Sequence, residues 1–288
     1  MNSGPGDYVR SGVAAGVAIL TLRGMKRRRS LALLPALAFF AFAGCTTVPE
    51  TGRSQLLLVS SADEARMGVQ AFSQIKAKEK IATDPQVNAR IQRIGRRIAA
   101  AVGRDLPDAQ WEFVVFDSPQ LNAFALPGGK VGFYTGLIDL AGSDDEIAAV
   151  MGHEIAHVTS RHGAERQSQA IVVGGLGALL AVGAEETKNR DLYLGAYAAA
   201  TTLGTLAYSR DHETEADTVG LRFAAAAGYD PRAAVSFWQK MAAKESGGRP
   251  LKWLSTHPPS AERIARLQQL APTLVPLYEQ AKAAAPAP

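Results

Sequence analysis

The most constraining feature of this 288-residue sequence is the segment His153 to His157, His-Glu-Ile-Ala-His, which fits the pattern H-E-x-x-H. Residues i and i+4 lie on one face of an α-helix, so His153 and His157 can direct two imidazoles at one metal ion. Glu154 then lies close enough to reach a water molecule bound to that ion. The pattern is typical of zinc-dependent hydrolytic sites, and the alternative is a surface helix that carries two histidines by chance.

The sequence before the motif predicts a helix with a clear start beside a small sheet. Ser143 to Glu146 form a capping box, so a helix should begin there and continue through the motif. The apolar, aromatic run from Trp111 to Phe116 is a predicted strand. Leu121 to Leu126 and Lys130 to Thr135 flank Pro127-Gly128-Gly129, which predicts an antiparallel β-hairpin with a glycine-containing turn.

Helical patterns account for most of the remaining sequence. A capping box at Ser61 to Glu64 predicts a helix to about Lys80, and Asp84-Pro85 predicts the start of a second. Apolar residues of this second helix recur at helical spacing at Val87, Ile91, Ile94 and Ile98. Later helices are predicted from about Asp211 to Ala227, from Pro231 to Met241 and from Ser260 to about Leu270. The predicted fold class is therefore α+β, mainly helical, with a small antiparallel sheet or hairpin next to the motif helix.

Two stretches rich in glycine and alanine follow the motif, Ala170 to Ala184 and Leu192 to Ala207. Each is shorter than the stretch of about 20 apolar residues that spans a membrane as a helix. One interpretation is a pair of small-residue helices packed closely on the motif helix. The other is a mobile lid, or a surface that dips into lipid. Glu185 to Asp191, between them, is predicted to be an exposed turn.

A catalytic zinc site uses three protein ligands and one open position. The third ligand should come from a separate element, because an acceptor on the motif helix cannot complete the tetrahedron. Glu213 and Asp217 are spaced i and i+4 on a later predicted helix and so face the same way. We expect Glu213 to bind the metal and Asp217 to accept a hydrogen bond from a ligand imidazole. Glu215 is expected at the surface, and His162 and His212 are expected to be structural or surface residues.

These motifs together resemble those of the M48 zinc metallopeptidases. The resemblance is carried by the H-E-x-x-H helix with Arg161-His162 after it, and by the later Tyr-Ser-Arg-x-x-Glu-x-Glu-Ala-Asp segment. It extends from Asn122 to Gly129 in the hairpin as far as Ser255 to Pro259. It implies a gluzincin-type peptidase domain with one zinc ion per chain, held by His153, His157 and Glu213. Glu154 would then be the general base, and the periplasmic lipoprotein branch of the family is the most similar.

Several further residues are candidates for substrate binding or regulation. His257 lies in a proline-flanked loop. It is a substrate or oxyanion contact, a fourth ligand that blocks the water position, or a packing or loop-capping residue. Arg210 either pairs with an acid near the site or binds the substrate backbone. An extended substrate can pair with an exposed strand edge. That edge would be presented either by Asn122 to Ala125, which includes Ala123, or by Lys130 to Phe133.

The N-terminus resembles a bacterial lipoprotein signal. After Met25 come four basic residues, then the apolar run Leu31 to Ala43, and then the sole cysteine, Cys45. The apolar run has 13 residues and is too short to cross a bilayer as a helix. We therefore expect lipidation at Cys45, and the alternative is an ordinary signal peptide followed by a free cysteine. In lipoproteins of this type, an acidic residue directly after the cysteine tends to retain the protein at the inner membrane. This sequence has Thr46 at that position, which favours the outer membrane facing the periplasm.

This interpretation predicts the organisation of the chain. The divisions are an extension over 1–24 upstream of the true start, a signal peptide over 25–44, a lipidated tether over 45–60, a peptidase domain over 61–272 and a partly disordered tail over 273–288. Charge does not favour nucleic acid as a partner, since residues 1–44 hold six of the 31 basic residues and one of the 27 acidic ones. The rest is close to neutral, with no basic stripe.

The leading functional hypothesis is a zinc endopeptidase anchored at the outer membrane, acting on misfolded or stalled envelope proteins. The alternative is a chaperone-like assembly factor that binds clients of the outer-membrane assembly machinery with little or no proteolysis. A prenyl-protein or integral-membrane protease is disfavoured because the sequence lacks long apolar spans.

Overall fold

The computed structural model describes residues 45–106, 108–183, 210–245, 253, 257–258 and 260–284. The predicted extension, the signal peptide, the exposed turn at Glu185 to Asp191 and the stretch from Leu192 to Ala207 lie outside the described residues.

The described chain is mainly helical, as predicted. The helices are α1 (Ser61–Lys78), α2 (Pro85–Val102), α3 (Thr135–Ala141), α4 (Asp144–Thr159), α5 (His162–Gly183), α6 (residues 210–226), α7 (Ala233–Glu245) and α8 (Ala261–Ala284), with a short 3-10 turn at Gly103–Asp105. The strands are β1 (Cys45–Thr47), β2 (Ser54–Leu56), β3 (Glu112–Phe116), β4 (Ala123–Leu126) and β5 (Lys130–Tyr134).

The main sheet has the strand order β3-β5-β4. The predicted hairpin is confirmed: β4 and β5 are antiparallel, with Leu126 opposite Lys130, and Gly128 and Gly129 adopt positive φ in the turn. β3 pairs with β5 in parallel, so the predicted antiparallel arrangement holds for the hairpin alone. The prediction that Lys130 to Phe133 could present a free edge is wrong, because β5 is the central strand. β4 is at the edge.

The predicted helix starts are largely confirmed. Ser143 caps α4 by accepting a hydrogen bond from the Glu146 amide (3.1 Å), and Asp84 caps α2 ahead of Pro85. α1 is capped by Ser60, one residue before the predicted capping box, because the Ser60 hydroxyl is the group that accepts from the Asp63 amide. α4 is buried on almost all sides, and Ile91, Ile94 and Ile98 of α2 are among the residues of the core around it.

The outer half of α5 does not pack as predicted. Ala164 and Ser168, in its first half, are buried, but Ile171 is 54% exposed, and Leu176 and Leu180 are also exposed. A Cβ atom placed on Gly174 would meet no atom within 4 Å. The interpretation that this stretch packs closely on the motif helix is therefore wrong for residues 170–178, 180 and 181, which are exposed or half-buried. No helix in the described part of the chain has the length and apolar character needed to cross a membrane.

Both ends of the described chain are more ordered than predicted. The predicted tether instead contains an antiparallel hairpin, β1–β2, and Val48 in its turn is completely buried. At the other end, Ser260 caps α8 as predicted, but the helix continues through Pro272 and Pro276 instead of ending near Leu270. It continues because Ala271 is buried in the core and Leu274 packs against it.

Candidate metal centre and active site

Four side chains from three parts of the chain converge on one point. His153, His157, Glu213 and His257 each offer a ligand atom, and these atoms all lie within 4.8 Å of one another. The Nε2 atoms of His153 and His157 are 3.1 Å apart, and each lies within 3.3 Å of a Glu213 carboxylate oxygen. Two imidazoles and a carboxylate form a donor set that suits a divalent transition metal. The three residues predicted as ligands are thus brought together.

A close helix crossing positions Glu213 against the two histidines. A Cβ atom on Gly152 would lie 2.4 Å from the Gly220 carbonyl oxygen, and one on Gly220 would lie 2.6 Å from the His153 amide nitrogen. Only glycine therefore allows α4 and α6 to approach so closely. Glu213 is seven residues, or about two helical turns, before Gly220, so it lies on the same face of α6.

Gly220→Ala is expected to destabilise the protein by about 1–3 kcal/mol, because the added methyl group would meet backbone that has no room to yield. Gly174→Ala is the matched control, since the same methyl group there enters open space and should stabilise α5 by about 0.5–1 kcal/mol. Urea unfolding of both variants measures the two effects. Equal stability in the two variants would show that the crossing tolerates a larger residue.

Asp217 lies beside a ligand imidazole, where it was predicted to accept a hydrogen bond. Its Oδ1 is 3.0 Å from His153 Nδ1, so it can accept the ring N–H while His153 Nε2 faces the cluster. Burial alone would lower the pKa of His153, but the Glu213 charge and the hydrogen bond to Asp217 raise it to about 9. Burial likewise opposes ionisation of Glu213, yet the charge of His153 and the histidine hydrogen bonds hold the Glu213 pKa far below its usual value.

Arg263 is a site residue that sequence reasoning missed. It is buried and donates to both Glu213 (2.8 Å) and Asp217 (2.6 and 2.8 Å). Its guanidinium also stacks 3.5 Å from the centre of the Trp238 ring. The one available sequence signal was its place in the first turn of α8, where a cation opposes the helix dipole. Arg210, in contrast, is exposed at the start of α6, so Arg263 is the arginine that pairs with the site acids.

Glu154 is buried beside the four-residue cluster. Its Oε1 accepts a hydrogen bond from Trp253 Nε1 (2.9 Å) and lies 3.6 Å from His257 Nε2. His257 Nδ1 is 2.9 Å from Glu213 Oε1 and 3.2 Å from His153 Nε2. The structure therefore places His257 among the candidate ligands, rather than as a packing or loop-capping residue outside the site.

The expectation that Glu215 lies at the surface is wrong, whereas the structural alternative holds for His162 and His212. All three are buried, because they pack between α5, α6 and the N-terminal hairpin. Glu215 accepts from Thr51, from Arg53 Nε (2.8 Å) and from His162 Nε2 (2.8 Å). His162 is structural rather than at the surface: its Nδ1 lies 2.8 Å from Nδ1 of the candidate ligand His157. Burial lowers the pKa of His162 to about 4.

A cavity of about 320 Å³ opens beside the cluster and the edge strand. Its lining includes Met67 of α1, Ala125 and Leu126 of β4, and His157 and Arg161. Ala123 begins β4 and is buried, and the carbonyl of Asn122 just before it accepts a hydrogen bond from the Tyr134 amide (3.1 Å). The strand edge, the cavity and the candidate ligands thus adjoin one another.

A mainly helical fold with an H-E-x-x-H helix, a glutamate from a second helix and a neighbouring edge strand defines a metallopeptidase of the gluzincin type. The chain belongs to peptidase family M48, whose family model matches residues 85–271. It is a metalloendopeptidase, and the family implies a bound metal.

Named relatives agree with this assignment. The chain is 32% identical over 245 residues to "Mitochondrial metalloendopeptidase OMA1" of Schizosaccharomyces pombe, a match covering 84% of this chain and 71% of the relative. The protein of the same name from Saccharomyces cerevisiae is 31% identical, with 88% and 77% covered. The "Beta-barrel assembly-enhancing protease" of Escherichia coli K12 is 29% identical over 83% of this chain, which spans half of that relative's length.

Proposed function

We propose that this chain is a zinc-dependent endopeptidase of the bacterial cell envelope, with His153, His157 and Glu213 as ligands and Glu154 as general base. The observation that carries the proposal is the convergence of these ligand atoms within 4.8 Å, with Glu154 buried next to them. Two histidines and a glutamate are a known ligand set of catalytic zinc, which leaves one coordination position for water or substrate.

Glu154 carries the proton transfers of the proposed reaction. Zinc, when bound, supplies the Lewis acidity that polarises the scissile carbonyl and makes the attacking water more acidic. Glu154 accepts the proton from that water and delivers it to the leaving amine nitrogen. Trp253 Nε1 donates to Glu154 Oε1 and so fixes the orientation of the carboxylate for both transfers. Asp217 and Arg263 hold His153 and Glu213 in place.

The edge strand and the adjoining cavity support an extended polypeptide substrate. A peptide that pairs with the outer edge of β4, which no strand of the described residues covers, would be recognised through its backbone, while one side chain enters the cavity. Backbone recognition gives little sequence selectivity and requires an unfolded segment. Misfolded or stalled envelope proteins are therefore the proposed substrates, with the outer-membrane assembly machinery as a proposed partner. The name of the E. coli relative, which refers to β-barrel assembly, supports this proposal.

The proposed location is the outer membrane, facing the periplasm, through a lipid on Cys45. Support comes from the lipobox-like sequence and from the exposure of Cys45 at the start of β1. Cys45→Ser expressed in a bacterial host is expected to leave unprocessed or soluble protein, which fractionation and mass measurement detect. Unchanged mass and membrane attachment would refute the lipid anchor without affecting the peptidase proposal.

His257 is proposed to regulate this site. Its Nδ1 lies within hydrogen-bond distance of Glu213 and His153, so it can occupy the position that the water needs. Its ring is also close to Glu154, so its departure would open the position next to the general base.

Purified full-length protein is expected to contain one zinc ion per chain and to cleave unfolded casein. A chelator should remove both properties, and added zinc should restore them, as elemental analysis and gel electrophoresis measure. Zinc binding without cleavage would indicate that His257 blocks the site, and the His257→Ala variant should then cleave casein. Folded protein without zinc affinity would refute the ligand assignment.

A further inference from the structure

A second buried polar network lies behind the candidate ligand His157. It consists of Arg53 from the N-terminal hairpin, His162 and Glu165 of α5, and His212 and Glu215 of α6. The four residues from the helices are almost completely buried, and the side chain of Arg53 is 23% exposed. None of these groups is a candidate ligand, yet the network reaches the site through the contact between His162 and His157.

The hydrogen bonds in this network have one consistent direction. An ionised carboxylate can only accept, so His162 Nε2 donates to Glu215 Oε2 (2.8 Å). Neutral His162 then has its lone pair on Nδ1, and His157 Nδ1 must donate to it across 2.8 Å. This leaves the lone pair of His157 on Nε2. That atom is the one that faces His153 Nε2 (3.1 Å) and Glu213 Oε1 (3.2 Å).

We propose that Glu215 and His162 form a relay that fixes the tautomer and orientation of His157, and that Arg53 holds this relay in place. The three are positioning residues, and the inference rests on the metal site proposed above. The two histidines of the motif would thus be oriented differently. His153 is oriented by direct contact with Asp217, whereas His157 is oriented by Glu215 through an intervening imidazole.

Arg53 supports His162 on two sides. Its Nε donates to Glu215 Oε2 (2.8 Å), which fixes the acceptor at the edge of the His162 ring. Its Nη2 donates to Glu165 Oε2 (2.7 Å), which also bonds His212 Nε2 (3.0 Å), and the His212 ring stacks on His162 at 4.2 Å. Removal of Arg53 would leave two buried carboxylates without their shared cation. The N-terminal hairpin is therefore part of the support of the metal site.

The test is the zinc affinity of the full-length protein, measured by competition with a chromophoric chelator. His162→Leu and Arg53→Met should each raise the zinc dissociation constant about 10–100-fold. His162→Asn should recover most of this loss, because its amide oxygen can accept from His157 Nδ1. Arg90→Met is the matched control: Arg90 is 28% exposed and pairs with Asp144 away from the site, so its loss should leave zinc affinity unchanged.

The tautomer of His157 is a second readout, because it would not change if His162 only supported the fold. Nitrogen-15 NMR of metal-free protein should find His157 protonated at Nδ1 in wild type and shifted toward Nε2 in His162→Leu. Wild-type zinc affinity in both His162→Leu and Arg53→Met, or an Nε2–H tautomer in the wild type, would overturn the relay. If wild type bound no zinc, the metal site itself would fail, and the tautomer spectra would still decide the relay.

Discussion

Glu154→Gln is expected to lower casein cleavage by about 10²–10⁴-fold while zinc stays bound, because the amide cannot take up the proton of the attacking water. The substitution keeps the shape of the side chain and an oxygen that can accept from Trp253 Nε1. Glu154 is not one of the four clustered ligand residues, so metal content should not change. Initial cleavage rates and zinc content, measured on the same preparations, separate the two effects.

Glu146→Gln is the matched control for this prediction. Glu146 lies on the same helix, is buried to the same degree as Glu154, and pairs with Lys240 and Ser236 away from the cluster. The Glu146→Gln variant should be less stable than the wild type but should keep the same cleavage rate per folded molecule. Full cleavage in Glu154→Gln would contradict its assignment as general base. The chaperone-like alternative would be supported if the wild type protected client proteins from aggregation without cleaving them and the Glu154→Gln variant did the same.

Glu213→Gln is expected to weaken zinc binding by at least about 100-fold, because it removes the anionic member of the proposed ligand set. The loss has a second cause, since Arg263 would then face a neutral group where it now donates to a carboxylate (2.8 Å). Chelator competition measures the affinity, and cleavage at buffered zinc concentrations should fall in parallel.

Asp217→Asn is the variant to compare with Glu213→Gln for its effect on zinc affinity. Asp217 contacts His153 and Arg263 but is not among the clustered ligand atoms, so its loss should cost less, about 10–100-fold. The expected order of zinc affinity is therefore wild type, Asp217→Asn, Glu213→Gln. An order with the two variants reversed would mean that Asp217, rather than Glu213, is the carboxylate ligand.

Local spacing was enough to predict the core of the site. The i, i+4 relation placed His153 with His157 and Glu213 with Asp217, and the cap at Ser143 placed the start of the motif helix. The β4–β5 hairpin followed from its glycine turn. These features depend on residues close together in the sequence, so short patterns contain the information.

The contacts that local patterns missed join residues far apart in the chain. Arg263 reaches Glu213 across 50 positions, and Arg53 reaches Glu215 across 162. Glu215 was expected to be exposed on the basis of α6 alone, because the hairpin that covers it could not be foreseen from that helix. The continuation of α8 past Pro272 likewise depends on packing against the core, which overrides the local tendency of proline to end a helix.

If Cys45 carries the proposed lipid, the folded hairpin that begins there limits how far the domain could lie from a membrane. Cys45 begins β1, and Val48 is completely buried three residues later, so the chain from a lipid on that cysteine to the first buried residue spans about 10 Å at most. A predicted 16-residue tether would have allowed several times that distance. If the proposed lipid is attached, the start of the folded domain would be held close to the bilayer surface, and polypeptide substrates would have to reach a domain held there.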